Sequence, residues 1–365
     1  MTSMSPPDPP SKIVIGVDTH KHVHVAVALD EDGQRLSDVR IPVDAAGYQE
    51  LDRWAQTHGR VLAYGIEGTG SYGANLTSYL RRQGRKVVEV NRGDRRARRA
   101  NGKSDTLDAE LAARSVIAGT ATAVPKSADG TVEMIRKIKV ARDIACKNRT
   151  SAIITLKTVI VNTPQELKEQ LDTLGDKALI QRCSGFRPGT VDDPISAAKH
   201  TLRALARRWE FLHAEVKDHD AVIATLTTSL SPSLCDGFGI GPDTAAEILI
   251  VFGDNPDRVH SEAAFAKLCG VAPVPASSGM TTRHRLAWNG HRQANAAIYR
   301  TAIVRMQHHQ PTKDYVAKRT AEGLSKRDII RCLKRFIARE IYGRVMADFR
   351  ARTVLSTAAC PILDI

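Results

Sequence analysis

The sequence predicts an α/β unit followed by mostly helical units, and three observations carry this. Between residues 12 and 125, short apolar runs such as KIVIGVDT, HVHVAVALD and VLAYGIEGTG alternate with helical segments closed by glycine. From about residue 131 to 229, glycine and proline thin out, and helical periodicity rich in Lys and Arg runs over long stretches. From residue 231 onward, glycine turns separate shorter helical patterns.

In chain order, KIVIGVDT and HVHVAVALD are two strands with a tight polar connection, and DGQRLSDVRIPV adds a turn and a third strand. DAAGYQELDRWAQTHG reads as a helix from an N-capping Asp44 to Gly59. VLAYGIEGTG is a buried strand that ends in Glu67 and glycines. SYGANLTSYLRRQG is a helix with Gly84 beyond its end, and RKVVEVN is a short strand. KSDTLDAELAARSVIAG opens on a capping Ser104 and runs as a helix to Gly119. Three strands, helix, strand, helix, strand, helix is the order of the ribonuclease-H-like fold. Residues 126–230 hold two long helix patterns around a loop-rich middle, GDKALIQRCSGFRPGTVDDP, and are expected to form an antiparallel helical hairpin of coiled-coil type. Residues 231–350 form a further helical domain that ends in the basic amphipathic SKRDIIRCLKRFIAREIYGRVM. Residues 1–11 and 351–365 read as tails, and no internal repeat is visible.

Composition narrows the function. The 365 residues carry 53 Lys and Arg against 40 Asp and Glu, a net charge of +13. An excess of this sign points to a polyanionic partner. No apolar run of about 18 residues exists to span a membrane, and there is no signal-peptide core. The six cysteines form no CxxC pair, so neither a zinc knuckle nor a disulfide framework is indicated, and a reducing, cytoplasmic setting is expected.

In the predicted topology Asp18 lies on the central first strand and Glu67 at the end of the fourth, its neighbour. Asp105 and Asp108 are three apart on one helix and so share a side. Any one of these acids has an ordinary role as a turn residue or a first-turn acid. Four converging carboxylates repel one another unless cations sit between them. Two Mg²⁺ ions, with Mn²⁺ as a substitute, suit such a set and suit in-line phosphoryl transfer. His20, His22 and His24 alternate along the hairpin, but a zinc site would need a fourth ligand that the sequence does not supply. They fit a wet strand face or contacts to substrate phosphate. Residues 81–103 hold ten Lys and Arg against two acids, and this run leads into the Asp105/Asp108 helix. Arg92, Arg95, Arg96, Arg98, Arg99 and Lys103 are therefore expected to hold nucleic-acid phosphates. GIGPDTAAEIL has the glycine spacing of a helix-hairpin-helix turn, which presents helix N–H groups to phosphate; a plain helical turn fits it almost as well. PVPASSGMTTRHR places Ser277 and Ser278 in a loop beside Arg283 and Arg285. By itself it is a flexible loop or a presented nucleophile.

The order of IGVDTHKHVHVAV, YGIEGTGSYG, KSDTLDAELAAR, the long helical middle, GIGPDTAAEI and LCGVAPVPASSG resembles the Piv-related DEDD transposases of insertion sequences, from residue 13 to about 346. The resemblance implies a RuvC-like domain over residues 12–125, with a Mg²⁺-binding tetrad at Asp18, Glu67, Asp105 and Asp108. It also implies a nucleophilic serine at Ser278, next to Ser277, in the C-terminal domain. It implies a recombinase of donor and target DNA that passes through a phosphoserine link and acts as a homo-oligomer, dimer to tetramer, in the bacterial cytoplasm at the nucleoid. A structured bridge RNA as guide is implied as well. Where many members carry a KRG segment after Ser-Gly, this chain has LAWNGHRQAN, in which Gly290, Arg292 and Asn295 take over the phosphate contacts.

Three other functions compete. A RuvC-like junction endonuclease would use the same acids with metal-activated water and would not need Ser278. A sugar kinase or actin-like ATPase would repeat the first hairpin in its second half, and no such repeat is present. A non-enzymatic nucleic-acid regulator would leave four converging acids without a use.

Overall fold

The computed structural model describes residues 12–91, 104–277, 284–285, 287 and 290–358. The chain divides into two compact units. One comprises residues 1–130 and 252–260, the other residues 131–251 and 261–365.

The first unit holds a mixed five-stranded sheet. Its strands are β1 (Lys12–Thr19), β2 (Val23–Asp30), β3 (Arg35–Pro42), β4 (Arg60–Glu67) and β5 (Val87–Val90). Their spatial order is β3-β2-β1-β4-β5. The first three form the expected antiparallel meander, while β4 and β5 run parallel to β1. Helices α1 (Ala45–Thr57) and α2 (Ala74–Arg82) cover one face, and α3 (Asp105–Ile117) covers the other. Both expected caps are present: Gly47 N–H donates to the Asp44 carboxylate at 2.8 Å, and Leu107 N–H donates to Ser104 Oγ at 3.1 Å.

Strand alternation assigns side chains to the two faces. Ile13, Ile15, Val17, Tyr64 and Ile66 pack with Tyr48, Leu51, Leu76 and Leu80 beneath α1 and α2. Val14, Val27 and Leu29 pack with Ala109 and Ala113 of α3. A Cβ on Gly16 would fall 1.9 Å from Ala109 O and 2.5 Å from Ala113 N, and one on Gly65 would fall 2.7 Å from Val116 Cγ2. Only glycine at these two positions lets the α3 backbone lie so close to the sheet. Gly16→Ala is therefore expected to lower stability by about 2 kcal/mol, because the displaced atoms are backbone and cannot swing away. Chemical denaturation measures this, and an unchanged midpoint would show that α3 has slack.

Residues 252–260 complete the first unit. Asn255 Nδ2 donates to Pro125 O at 3.0 Å, and Ser127 N–H donates to Asn255 Oδ1 at 3.0 Å. Arg258 Nε donates to Val124 O at 3.0 Å.

Among its described residues the second unit is helical apart from loops and one two-residue ladder. Its long helices α4 (Thr131–Val161) and α7 (Pro194–Leu230) pack antiparallel, as expected. Arg142 Nε meets Asp220 at 2.9 Å near one end, while Leu156 and Ile160 meet Leu202 and Ala206 toward the other. The connection holds α5 (Gln165–Asp172) and, within residues 175–194 that were expected to be loop-rich, α6 (Asp176–Ser184); their Leu167, Leu171, Leu179 and Ile180 join the same core. Pro164, Gly175 and Gly185 sit at their ends and cut the periodic pattern into pieces too short to stand out in sequence.

The remainder is α8 (Pro232–Cys235), α9 (Pro242–Phe252), α10 (Glu262–Leu268), the pair β6 (Val274–Pro275) and β7 (His284–Arg285), α11 (Arg292–His308), α12 (Gln310–Ala321) and α13 (Lys326–Ala358). Phe252, the last residue of α9, already belongs to the first unit. α13 runs eight residues past position 350, where a tail was expected to begin. In the glycine turn before α9, Gly239 takes φ +75°, a conformation that favours glycine. No helix among the described residues is long and apolar enough to cross a membrane.

Candidate active site

Asp18 is two residues beyond Gly16 on β1, so alternation turns it to the α3 face. Glu67 is two beyond Gly65 on β4 and faces the same way. Val17 and Ile66 are in register on these parallel strands, so Asp18 and Glu67 follow at matching positions. Thr19 Oγ1 donates to the Glu67 carbonyl at 2.8 Å and ties the two strand ends together. Asp105 and Asp108 occupy the first turn of α3, and Asp108 is buried. The glycine-permitted contact of α3 with the sheet is what brings this first turn to Asp18.

His20, just past β1, joins the cluster. Its Nε2 lies 3.1 Å from Asp18 Oδ2 and 3.3 Å from Asp105 Oδ1. One donor atom from each of Asp18, His20 and Asp105 falls within 4.8 Å of the others, while Glu67 and Asp108 lie outside this tight group. Burial pushes the Asp18 carboxyl above its usual range; His20 pulls it down, and the charges of Asp108 and Asp105 push it up again. Asp52, another buried aspartate of this unit, contrasts with it. Asp52 accepts from Tyr64 OH at 2.7 Å and pairs with the Arg85 guanidinium at 2.9 Å. Asp52 is a neutralised structural acid, whereas Asp18 stands among other acids with one imidazole.

The three histidines do not share a face. His22 is exposed, and His24 is fully buried on the α1 side, stacked at 6.1 Å on Tyr48 with neither ring nitrogen hydrogen-bonded. Burial lowers the pKa of His24 and favours the neutral ring. His20, two residues beyond Asp18, keeps the Asp18 side and reaches the acids, whereas His24, paired with Thr19 across the hairpin, takes the other face.

Residues 15–163 match a family model described as a transposase, of the DEDD type named for IS110. Residues 233–317 match a second, described as the transposase IS116/IS110/IS902 family. A protein of Streptomyces clavuligerus named "Insertion element IS116 uncharacterized 44.8 kDa protein" is 24% identical over 359 residues, covering 86% of this chain and 89% of that protein. The chain belongs to the IS110 family of DEDD transposases. It is a DNA-cleaving and rejoining enzyme, and the acids Asp18, Glu67, Asp105 and Asp108 all fall inside the first match.

The remaining predicted residues of the transposase fare differently. Arg92, Arg95, Arg96, Arg98, Arg99, Lys103, Ser278 and Arg283 lie outside the described residues. Ser277 is exposed at the end of the segment that follows β6. Arg285 on β7 and Arg292 at the start of α11 are exposed and available to a phosphate. Asn295, expected to contact phosphate, is instead engaged inside the second unit. Its Nδ2 donates to the carbonyls of Cys269 at 3.0 Å and Gly270 at 2.9 Å, satisfying the end of α10, and its Oδ1 accepts from Lys334 Nζ at 2.5 Å. Gly290 has a packing reason of its own, since a Cβ there would lie 2.3 Å from the Gly270 backbone. The sequence reading underrated His20 and did not single out Lys334. The signal for Lys334 was the basic face of the last helix.

Proposed function

We propose that this transposase cuts and rejoins DNA with a divalent-metal site in a ribonuclease-H-like, RuvC-like domain and a nucleophilic serine in its C-terminal region. The observation that carries this is the meeting of Asp18, His20 and Asp105 at the ends of β1 and α3, with Glu67 in register alongside. The strand order β3-β2-β1-β4-β5, antiparallel on one side of β1 and parallel on the other, supports the ribonuclease-H-like assignment.

The donor set suits a hard divalent cation, since it is dominated by carboxylate oxygens. Asp18, Glu67, Asp105 and Asp108 would hold two such ions, Mg²⁺ or in its place Mn²⁺. When bound, these supply charge neutralisation and Lewis acidity toward a phosphodiester. His20 fixes the orientation of Asp18 and Asp105, and Ser104 fixes the first turn of α3.

Ser278, or its neighbour Ser277, forms a new Oγ–P bond as the sugar O–P bond of the cut strand breaks, and the serine proton passes to the leaving sugar oxygen. Reversal onto another strand end rejoins DNA with the number of phosphodiester bonds conserved, so no nucleotide triphosphate is needed. The net charge of +13 supports donor and target DNA and a bridge RNA as partners. A homo-oligomer in the bacterial cytoplasm fits the apolar Val140, Ile144, Ile154 and Val161, which α4 leaves exposed.

The test is a covalent protein–DNA adduct that survives denaturation in the presence of Mg²⁺. Ser278→Ala is expected to lose the adduct and strand joining together, with Ser277→Ala as the neighbouring control. Cutting without any adduct would favour the hydrolytic junction endonuclease.

A further inference from the structure

The fold treats two lysines of the second unit in opposite ways. Lys139 is only 5% exposed, and three carboxylates surround it: Asp243 at 2.7 Å, Asp143 at 3.0 Å and Glu247 at 3.0 Å. Lys334 on α13 is half-buried, and its one hydrogen-bond partner among the described residues is the neutral Asn295 Oδ1. Burial and the nearby Arg331 both disfavour its charged form. A half-buried ammonium with no carboxylate beside it is an unmet charge.

Lys334 lines a cleft of about 640 Å³. Arg331, Lys334 and Arg335 enter it from one face of α13, at positions i, i+3 and i+4. Arg285 enters from β7. Among the described residues of the lining the single acid is Asp328, which pairs with Arg331 at 2.8 Å. Arg335 pairs with Glu262, which also holds Arg339. Among the described residues of the cleft, Lys334 and Arg285, brought together from two elements, therefore carry the charge that no acid balances. Val271, Ala272 and Phe336 give the same cleft an apolar wall.

We propose that this cleft is a phosphodiester-binding site, in which Lys334 and Arg285 clamp one backbone phosphate of a nucleic-acid strand and the apolar wall receives the attached sugar or base. The shared chemistry is a phosphodiester with an apolar neighbour, supplied by DNA or by a structured RNA. The proposal rests on the nucleic-acid function above and deepens it by naming a contact site in the second unit, away from the acidic cluster in sequence.

The test uses the full chain in EDTA, so that no strand is cut. Fluorescence anisotropy follows binding of a labelled random-sequence DNA duplex and, separately, a labelled RNA hairpin over a series of KCl concentrations. Removing one phosphate contact lowers the slope of log affinity against log salt by about one unit and weakens binding roughly three- to tenfold. Lys334→Met is expected to show both effects, Arg285→Ala the same, and Lys334→Arg to restore the slope. Arg285 is exposed on a two-residue strand, so its variant carries the test if Lys334→Met fails to fold. A loss in the DNA arm alone assigns the cleft to DNA, and a loss in the RNA arm alone assigns it to RNA; a loss in both supports the shared phosphate contact. Unchanged slopes in both arms, or a wild-type chain that binds neither probe, overturn the proposal. The adduct assay in Mg²⁺ is independent of this result, so a missing adduct beside intact salt slopes would sink the serine mechanism and leave the cleft standing.

Discussion

Asp18→Asn is expected to reduce strand cleavage by at least about a thousandfold, the scale on which removing a principal charge-bearing group acts. Binding of DNA in EDTA should change little, because Asp18 is buried and acidic and holds no phosphate by itself. The sign of the stability effect separates this from misfolding. Burial and the charges of Asp108 and Asp105 raise the Asp18 pKa, so at neutral pH the folded chain holds a carboxylate that its surroundings disfavour. Asparagine removes that charge at nearly the same volume. The metal-free variant should therefore melt no lower than the parent. In Mg²⁺ the parent should melt higher, as any ligand of the folded state requires, and the variant should lose that increment. Cleavage at near-parental rate, or a Mg²⁺-dependent melting shift that survives the change, would remove Asp18 from the chemistry.

Lys139→Met is expected to have the largest effect on stability, about 3–5 kcal/mol, the range for breaking a buried ion pair from one side. Burial alone would push the Lys139 pKa down, but Asp243, Asp143 and Glu247 more than reverse this and hold it up. Asp243 is held low because Lys139, Arg142 and Arg300 outweigh its burial. Glu247 sits above its ordinary range even with Lys139 present, because burial dominates. Without the lysine, Glu247 becomes a buried carboxylate facing two others. Its folded pKa then rises further, and a group whose folded pKa is raised favours the folded state at low pH and loses that advantage as pH rises through the folded value. The deficit of the variant should thus shrink as the solution is acidified from neutrality. Adding Glu247→Gln should recover part of the loss. Urea denaturation at two pH values measures both, and a deficit independent of pH would mean that packing, not charge, is what Lys139 supplies.

Much of the first unit is legible in the sequence because each element there carries two concordant signals. β1 and β2 are apolar on both faces, β2 ends at an Asp30–Gly33 turn, and α1 and α3 have capping residues that hydrogen-bond as such residues do. The acids are legible for a related reason: they stand where apolar runs end. The role of His20 is not legible, because in sequence it is one of three alternating histidines, and only the fold separates it from the exposed His22 and the buried His24. α5 and α6 are hidden by the Gly and Pro residues that bound them. Asn295 shows the converse limit: a polar residue beside a basic segment reads as a phosphate contact until the open end of α10 is seen to need its amide. Lys334 is one of many basic residues on α13, and what distinguishes it is burial without a carboxylate partner among the described residues, which sequence spacing cannot reveal.

The clasp formed by residues 252–260 has a consequence for the order of events during synthesis. The ribosome releases β1 to α3 first, but Asn255 and Arg258, which bind the carbonyls of Pro125 and Val124, emerge only after the whole α4–α7 hairpin has been made. Until then the nascent first unit presents those carbonyls to water, and its last connection is held at one end only. The clustered acids can therefore gather early on the growing chain, whereas the seam that closes their unit is sewn from the far side of a long helical detour. A fragment that stops at residue 130 carries every residue of the acidic cluster and lacks that seam.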